Sequence, residues 1–547
     1  MPRCRWPRCG ACSASSGPTG TTEHHLAYPR KRPTMSQTAL ILVGAAAFVV
    51  LMVALGRAAA TRTSGDAESY FVADRGLRRF VLFAAIFGTN MTAFVMLGLP
   101  GVAYHGGVSI WLMLAGPLLF VMPLSFYFGY RCWLVARRYG YITPVEFYRE
   151  RFQSDGLAVL MFLGFVGWTI PYVLTGVIGG GRALESFTGG TIPYWAGGLA
   201  VTVVVAYYTW AGGMKGTAWT NTAQAVLFMA FLLLAVVLVA NAAGGTGRIA
   251  DTLQRENPQL LTRSWDGPFS VGATISQLIL FSFIIFAFPF VWIRMISARS
   301  SKDLRVSGIV YPVALVLTWV PAILLGLWSA SLVPGLVGAE ADSAIFVLTG
   351  QLLPDWVAAF GLVALLAIVM SSMDAQVLTL SNMLSRDIVG RYQRGSTPTS
   401  QVRSARVFVL ALLALTYAMS LLDMPGIFDV AEFAFTGFAV FYPLLIAGIF
   451  WRRATKWGAM ASLVVGQALA ITGYLGWYPA VAGLQPVFWG VTIGAATLVV
   501  VSLLTPPQDA AADRFHAVWD KVQTAGTGSP TAAPEPAPRS TIGEPGQ

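Results

Sequence analysis

Ala367-Ile368-Val369-Met370-Ser371-Ser372-Met373-Asp374 lies inside a long apolar run from Trp356 to Leu380. In hydrocarbon every polar group must find a partner within the protein, and an acid at a helix centre costs about 2.5–3.5 kcal/mol. Two adjacent hydroxyls and a carboxylate kept at such a place have two readings. Either they hydrogen-bond back to their own helix or a neighbour, or they coordinate something. A small hard cation takes oxygen ligands, and hydroxyls beside free backbone carbonyls supply them without added charge. The eight residues alone leave both readings open, and the rest of the chain shifts the balance towards coordination.

The chain has 547 residues, of which 56% are hydrophobic and 11% charged, with a mean hydropathy of +0.64. Soluble domains carry roughly 25% charged residues, so this is an all-α polytopic membrane protein with no soluble catalytic domain. Apolar windows of about 20 residues predict thirteen helices. They lie near 39–56; 80–103, 107–130, 157–186, 193–211 and 217–242; 270–295, 306–333, 352–383, 407–423 and 426–450; and 457–477 and 485–504. Alternate loops sort by charge. One set holds Arg57, Arg75, Arg137, Arg138, Arg151, Lys215, Arg294, Arg299, Arg386 and Arg453, among others. In the opposite set Arg248, Arg255 and Arg263 are offset by Asp251, Glu256 and Asp266. The positive-inside rule places the first set and the C-terminus in the cytoplasm of a plasma-membrane protein, with the N-terminus outside. The net charge of +11 is then topology facing anionic lipid headgroups, and no nucleic-acid partner is needed to explain it.

Residues 1–34 read as a dispensable or mis-annotated extension, with Met35 as the expected start, because Arg3, Arg5, Arg8, Arg30, Lys31 and Arg32 would fall on the wrong side. Cys4, Cys9 and Cys12, with His24 and His25 behind them, match no standard zinc spacing. Residues 505–547, rich in Pro, Ala, Thr and Gly, read as a disordered cytoplasmic tail.

Four segments resemble the sodium:solute symporter family, which includes the proline, pantothenate and sodium–glucose cotransporters. Thr89-Asn90-Met91-Thr92 with Gly98-Leu99-Pro100-Gly101 resembles its first core helix. Gly212-Gly213, Trp219-Thr220-Asn221 and Gln224 resemble its Gly-Gly turn and Thr-Asp-x-x-Gln helix. Met370-Ser371-Ser372, with Ser381 and Arg386-Asp387, resembles the eighth core helix, and Gly448, Ile449, Arg453, Gly458-Ala459 and Gly466 fit its C-terminal signature. The likeness runs from about Tyr70 to Leu504.

The resemblance implies a LeuT-like five-plus-five inverted repeat: helices across 80–243, repeated upside down across 270–450, preceded by the extra helix 39–56 and followed by two helices in 457–504. Sites then lie at the midplane, where the first helix of each repeat is unwound. The sequence agrees, since Gly88-Thr89-Asn90 interrupts one helix and Phe288-Pro289 its counterpart. Carried over, the sodium site uses the carbonyls of Gly88, Met91 and Ile368 and the hydroxyls of Ser371 and Ser372. The family acid after Thr220 is Asn221 here, which makes Asp374 a candidate replacement on the opposite helix. Asn90, Thr92, Phe94, Phe281, Phe288 and Pro289 are the candidate substrate contacts, with Trp292 as a further aromatic wall. The acidic sugar-binding position aligns near Leu114, so the pocket suits a small, partly apolar solute rather than a sugar.

Three charged positions have local explanations. Lys215 reads as a topology charge and His105 as an interfacial residue. Arg182 reads as the partner of Glu185 one turn on, with contact to a substrate carboxylate as the other option. The expected function is sodium-coupled uptake of a small organic solute such as an amino acid, pantothenate or a monocarboxylate. Sodium is the coupling ion and no cofactor is implied. The expected partners are the solute, sodium and the lipid bilayer, and the sequence points to no obligate protein partner. A proton-coupled or uncoupled carrier on the same fold is the alternative, and a membrane sensor a more distant one.

Overall fold

The computed structural model describes residues 35–60, 75–393, 397–422, 425–478 and 481–524. The cysteine and histidine cluster of residues 1–34 and the proposed start at Met35 thus concern a segment outside the described residues, as does the side chain of Lys215. The described chain is helical. Helix α1 spans Met35–Ala60. The first repeat contains α2 (Arg79–Asn90), α3 (Leu99–Gly106), α4 (Ala115–Leu124), α5 (Tyr130–Tyr139), α6 (Pro144–Phe152), α7 (Asp155–Phe187) and α8 (Tyr194–Ala242). A peripheral helix, α9 (Thr246–Glu256), follows. The second repeat contains α10 (Val271–Ala287), α11 (Pro289–Ile296), α12 (Ser301–Leu332), α13 (Ala344–Leu352), α14 (Asp355–Met383), α15 (Pro398–Ser420), α16 (Ile427–Ala439) and α17 (Tyr442–Phe450). The hairpin α18 (Lys456–Tyr474) and α19 (Pro486–Leu504) and a final helix, α20 (Asp509–Thr524), complete it.

Starts are written locally. Thr143 accepts from the Glu146 amide ahead of Pro144, Ser154 caps α7, Ser270 caps α10, and Thr397 with Ser400 forms a reciprocal capping box. Nine described helical segments are long and apolar enough to cross a membrane, or ten if the bent pair α10–α11 counts as one span. The helix runs through Gly212-Gly213 without interruption, giving one 49-residue segment where the sequence predicts two helices and a turn. A Gly-Gly pair permits a turn but does not impose one, because glycine's helix penalty is only about 1 kcal/mol.

Both predicted breaks exist, and one is displaced. In the first repeat α2 continues through Gly88, Thr89 and Asn90, and the backbone leaves the helix at Met91 (φ −84°, ψ 127°), three residues before a π-helical stretch at Phe94–Gly98. The glycine expected to break the helix instead lets it approach α8: a Cβ on Gly88 would lie 2.9 Å from the Asn221 carbonyl oxygen. In the second repeat Phe288 is extended (φ −71°, ψ 119°) and Pro289 opens α11, with a 45° bend. Proline clashes with a preceding helical turn but suits a first helical position, which fixes the break on its N-terminal side.

The core is centred on α14. Every residue from Ala364 to Met383 is buried, which is why its sequence is apolar on all sides. Helices α1, α2, α7 and α8 surround it. At the end carrying the basic loops, the segment entering the first broken helix is joined to the segment leaving the second. The Leu77 carbonyl accepts from the Arg299 amide at 3.0 Å, the Trp133 indole donates to Ala298 O at 3.0 Å, and Arg75 donates to Tyr141 O at 2.9 Å. Three arginines counted with the loops are buried instead, Arg75 among them. Arg151 donates to the carbonyls of Gly448 and Trp451 (3.0 and 3.1 Å), capping α17, and Arg294 is enclosed at the end of α11. Helix C-termini expose carbonyls that a guanidinium satisfies well, which lets Arg151 be internal, whereas the two terminal nitrogens of Arg294 make no hydrogen bond among the described residues.

The expectation of a disordered tail fails for residues 509–524, which form α20; residues 525–547 lie outside the described chain. The alanine-rich segment escaped notice because its apolar side chains are few, but they are aligned on one face. Phe515 packs on Tyr139, Tyr141 and Phe147, and Trp519 donates to Arg131 O at 3.3 Å. Arg452 pairs with Asp513 and Asp520 at 3.1 and 2.8 Å. Phe515→Ala is expected to weaken this docking by about 3 kcal/mol. Limited proteolysis would check it: cleavage near 505–508 should rise sharply while the membrane core stays intact.

Candidate ion and substrate site

The end of α2 meets the buried middle of the continuous helix α14. The Ser371 hydroxyl lies 2.9 Å from Gly88 O on α2 and 2.9 Å from Ile368 O on its own helix. A hydroxyl has one hydrogen and cannot serve both carbonyls at once. Three of the five predicted sodium ligands therefore converge, and they bridge the two repeats. Ser372 behaves differently: its hydroxyl donates to Val369 O at 2.9 Å within α14, which is the plain reading of a membrane serine. Met91 lies in the break, buried, with its amide donating to Phe87 O at 3.1 Å.

Asn221, reached from α8, holds this junction together. Its amide nitrogen lies 3.1 Å from the Thr89 hydroxyl, 3.1 Å from Ser371 O and 3.4 Å from Asp374 Oδ1. All four side chains are buried. The predicted link between Asn221 and Asp374 is thus a direct contact: one position carries the donor and the other the acceptor. Arg294 on α11 is near enough for Asp374 to act on it electrostatically, a relation that sequence order gave no means of seeing.

The candidate substrate residues fall into two groups. Phe94 lies at the centre of a ring cluster, 6.0 Å from Phe281 and Trp319 and 5.4 Å from Phe428 and Phe435 between centroids. Phe288 joins it through Phe435 at 5.6 Å and stacks on Tyr172 at 5.4 Å; Pro289 is buried beside it. Asn90 and Thr92 belong to the backbone break. Asn90 donates to the Tyr311 hydroxyl at 2.5 Å, and Thr92 Oγ1 accepts from the Phe94 amide at 3.1 Å. Trp292 is not a wall of this cluster; it packs on Phe147 at 5.6 Å, because α11 has carried the chain a full turn towards the basic end. Tyr172, Trp319, Phe428 and Phe435 are the cluster members that sequence reasoning missed, and it also missed Tyr311 beside Asn90. The i, i+7 spacing of Phe428 and Phe435 was the available signal. A cleft lined by Ile86, Ser125, Phe286, Met295, Ser307 and Tyr311 runs beside the Asn90 contact.

Two repeats that meet at paired helix breaks, around membrane-embedded oxygen donors and a wall of rings, define a secondary transporter. The profile of the sodium:solute symporter family matches residues 70–466. The chain belongs to that family, whose members are transporters rather than enzymes. The osmoregulated proline transporter OpuE of Bacillus subtilis is 24% identical over 499 residues, covering 88% of this chain and 98% of that protein. The sodium/pantothenate symporter of Escherichia coli is 29% identical over 428 residues, covering 76% and 88%. Among solved structures, a Na+-coupled sialic acid symporter in a substrate-bound outward-open state superposes with a TM-score of 0.72 at 18% identity, covering 87% of this chain and 99% of that one. MhsT in complex with L-phenylalanine gives 0.50 at 15% identity, covering 78% and 98%. These structural likenesses establish the shared inverted-repeat fold.

Arg182 does not take Glu185 as its partner. It reaches 3.0 Å to Asp342, in the connection between α12 and α13, and the same carboxylate oxygen accepts from the Ile427 amide at 3.0 Å at the start of α16. The helical neighbour was the local expectation, but a buried carboxylate demands a cation more strongly than an exposed one does. Burial pushes the Asp342 carboxyl up to about 6, against the pull of the Ile427 amide and Arg182, with Asp429 adding to the rise. The unfolded value is about 3.9. Between these pH values the folded chain holds a proton that the unfolded chain has released, so stability should rise as pH falls through about 6 and level off below about 4. Melting curves from pH 7.5 to 4.5 would test this: Asp342→Asn should flatten the rise, by up to about 3 kcal/mol.

Proposed function

We propose that this symporter brings a small, partly apolar organic solute into the cell with sodium, and that sodium binds among Gly88 O, Met91 O, Ile368 O and the hydroxyls of Ser371 and Ser372. The observation that carries the reading is the Ser371 hydroxyl placed between carbonyls of two different repeats. A cation there accepts lone pairs from both carbonyls and from the intact hydroxyl, which one O–H donor cannot match, and it ties α2 to α14. Ser372 joins by rotating its hydroxyl away from Val369 O. Tilting α2 from α14 takes Gly88 O out of the set, which weakens the site and releases the ion. Asp374 offsets the ion's charge in place of an acid at 221.

The basic loops support a cytoplasmic placement for the Leu77–Ala298 end and for α20, with the N-terminus outside. Proline and pantothenate, carried by relatives, are the first solutes to assay, followed by short monocarboxylates. The coupling is energetically sufficient. One sodium crossing 100 mV gains about 2.3 kcal/mol, and a tenfold sodium gradient adds about 1.4 kcal/mol. Together they sustain roughly 500-fold accumulation of a neutral solute. Proton coupling on the same frame is the second reading, favoured by the amide at Asn221, and solute uptake with and without sodium separates the two.

Ser371→Ala should raise the sodium concentration for half-maximal uptake about tenfold or more, and Ser372→Ala by a smaller factor, with surface expression unchanged. Sodium activation curves that coincide with wild type in both variants would remove the site.

The Asn221–Asp374 contact gives a second test. Asn221→Asp alone places two acids at hydrogen-bond range and should impair activation, since neighbouring carboxylates do not both ionise freely. Asp374→Asn alone removes the offsetting charge. The double variant restores one donor and one acceptor and should recover much of the sodium affinity. A double-mutant cycle of sodium activation reads the coupling directly; additive losses would leave Asp374 a structural residue.

A further inference from the structure

Helices α10 and α16 face each other across two successive rungs. In the inner rung Phe281 meets Phe435, with ring centroids 6.0 Å apart. One turn outward the Gln277 amide donates to Glu432 and, at 3.1 Å, to Gln485 Oε1. Gln277 precedes Phe281 by four residues, and Phe428, Glu432 and Phe435 follow an i, i+4, i+7 stripe, so the carboxylate shares its helix face with the two rings that contact Phe94. Among the described residues, the polar groups around Glu432 are Gln277, Gln485, Asp429 and the Tyr474 phenol, none of them basic. Gln277 is about nine-tenths buried, and its Oε1 makes no hydrogen bond.

A carboxylate in an apolar span, beside amides and rings and without a basic side chain, is costly in its ionised form, and a cation seated against it offsets that cost. Aromatic faces attract a cationic nitrogen through their quadrupoles, and most strongly when it is desolvated. The ring cluster itself contains no basic residue that would hold an anion. We propose that the transported solute carries a positively charged nitrogen, a secondary amine or a quaternary ammonium, that binds among Phe94, Phe281, Phe428 and Phe435 with Glu432 as its ionic partner. This rests on the uptake reading above and names the solute class for it. The rings close on one another in this structure, so the solute enters when the outer halves of α10 and α16 part and Gln277 releases the carboxylate. Once the solute is seated, Gln277 and Gln485 fix the orientation of Glu432.

The test uses the purified full-length protein in sodium buffer and follows thermal stability against two matched pairs of probes. The pairs are proline with cyclopentanecarboxylate, and choline with the alcohol in which a quaternary carbon replaces its nitrogen. At least one nitrogen-bearing probe should stabilise the protein, and its carbon counterpart should not. Glu432→Gln should raise the concentration of that probe needed for half-maximal stabilisation at least tenfold, while half-maximal stabilisation by sodium alone stays unchanged. Equal shifts from a carbon counterpart, no shift from either nitrogen probe, or undiminished affinity in Glu432→Gln would overturn the assignment. Should Glu432→Gln not fold, the wild-type pairs decide alone, and Glu432→Asp should bind the probe more weakly than wild type. Absence of any stabilisation by sodium would instead count against the uptake reading, independently of the amine result.

Discussion

A helix broken inside a membrane leaves amides and carbonyls that lipid cannot satisfy, and much of the architecture around Met91 and Phe288 answers that constraint. Around the first break the protein supplies hydroxyls and an amide: Ser371 to Gly88 O, Asn221 to Thr89 and Ser371 O, and Thr92 to the Phe94 amide. Around the second it supplies a proline, which has no amide to satisfy, and a packed wall of rings. The asymmetry is chemically useful. One break becomes a nest of oxygen atoms suited to a cation, and the other a hydrophobic seat with a polar rim.

The same contacts make the site a device for comparing two positions of the repeats. Gly88 and Ile368 belong to helices from different halves of the molecule, so an ion touching both is sensitive to their separation. Glycine at 88 lets the backbones of α2 and α8 come close, and any side chain there would push against the Asn221 carbonyl. A small movement of α2 would therefore change the proposed ligand set by whole atoms rather than by degrees.

Contacts at the two ends of the molecule bear on the same motion. At the basic end Leu77 pairs with Ala298 and Arg75 reaches Tyr141, joining the start of the first broken helix to the end of the second, while α20 is strapped across α5 and α6 through Phe515 and Trp519. At the other end Asp342 connects α7 to the start of α16 through Arg182 and the Ile427 amide. The Leu77, Arg75 and Asp342 contacts join segments distant in sequence by few, specific polar bonds, which can be exchanged without unpacking the apolar core.

Sequence by itself determined the membrane class, the all-helical fold, the proline break and the hydroxyl pair, because hydrophobicity over about 20 residues and the loss of an amide at proline are local properties. It also singled out Asn221 and Asp374 as related, through the family pattern. It placed the first break on a glycine that in fact serves close packing, paired Arg182 with its helical neighbour, assigned Arg294 to a loop, and missed α20. Each of those errors concerns a choice among several locally acceptable states. Glycine tolerates helix and break alike, an arginine accepts whichever carboxylate is best buried, and a weakly amphipathic segment folds only where a partner surface exists. Those choices are decided by which groups the tertiary structure brings together out of water, and that is why Ser371 bridges two repeats while its neighbour Ser372 bonds only to its own helix.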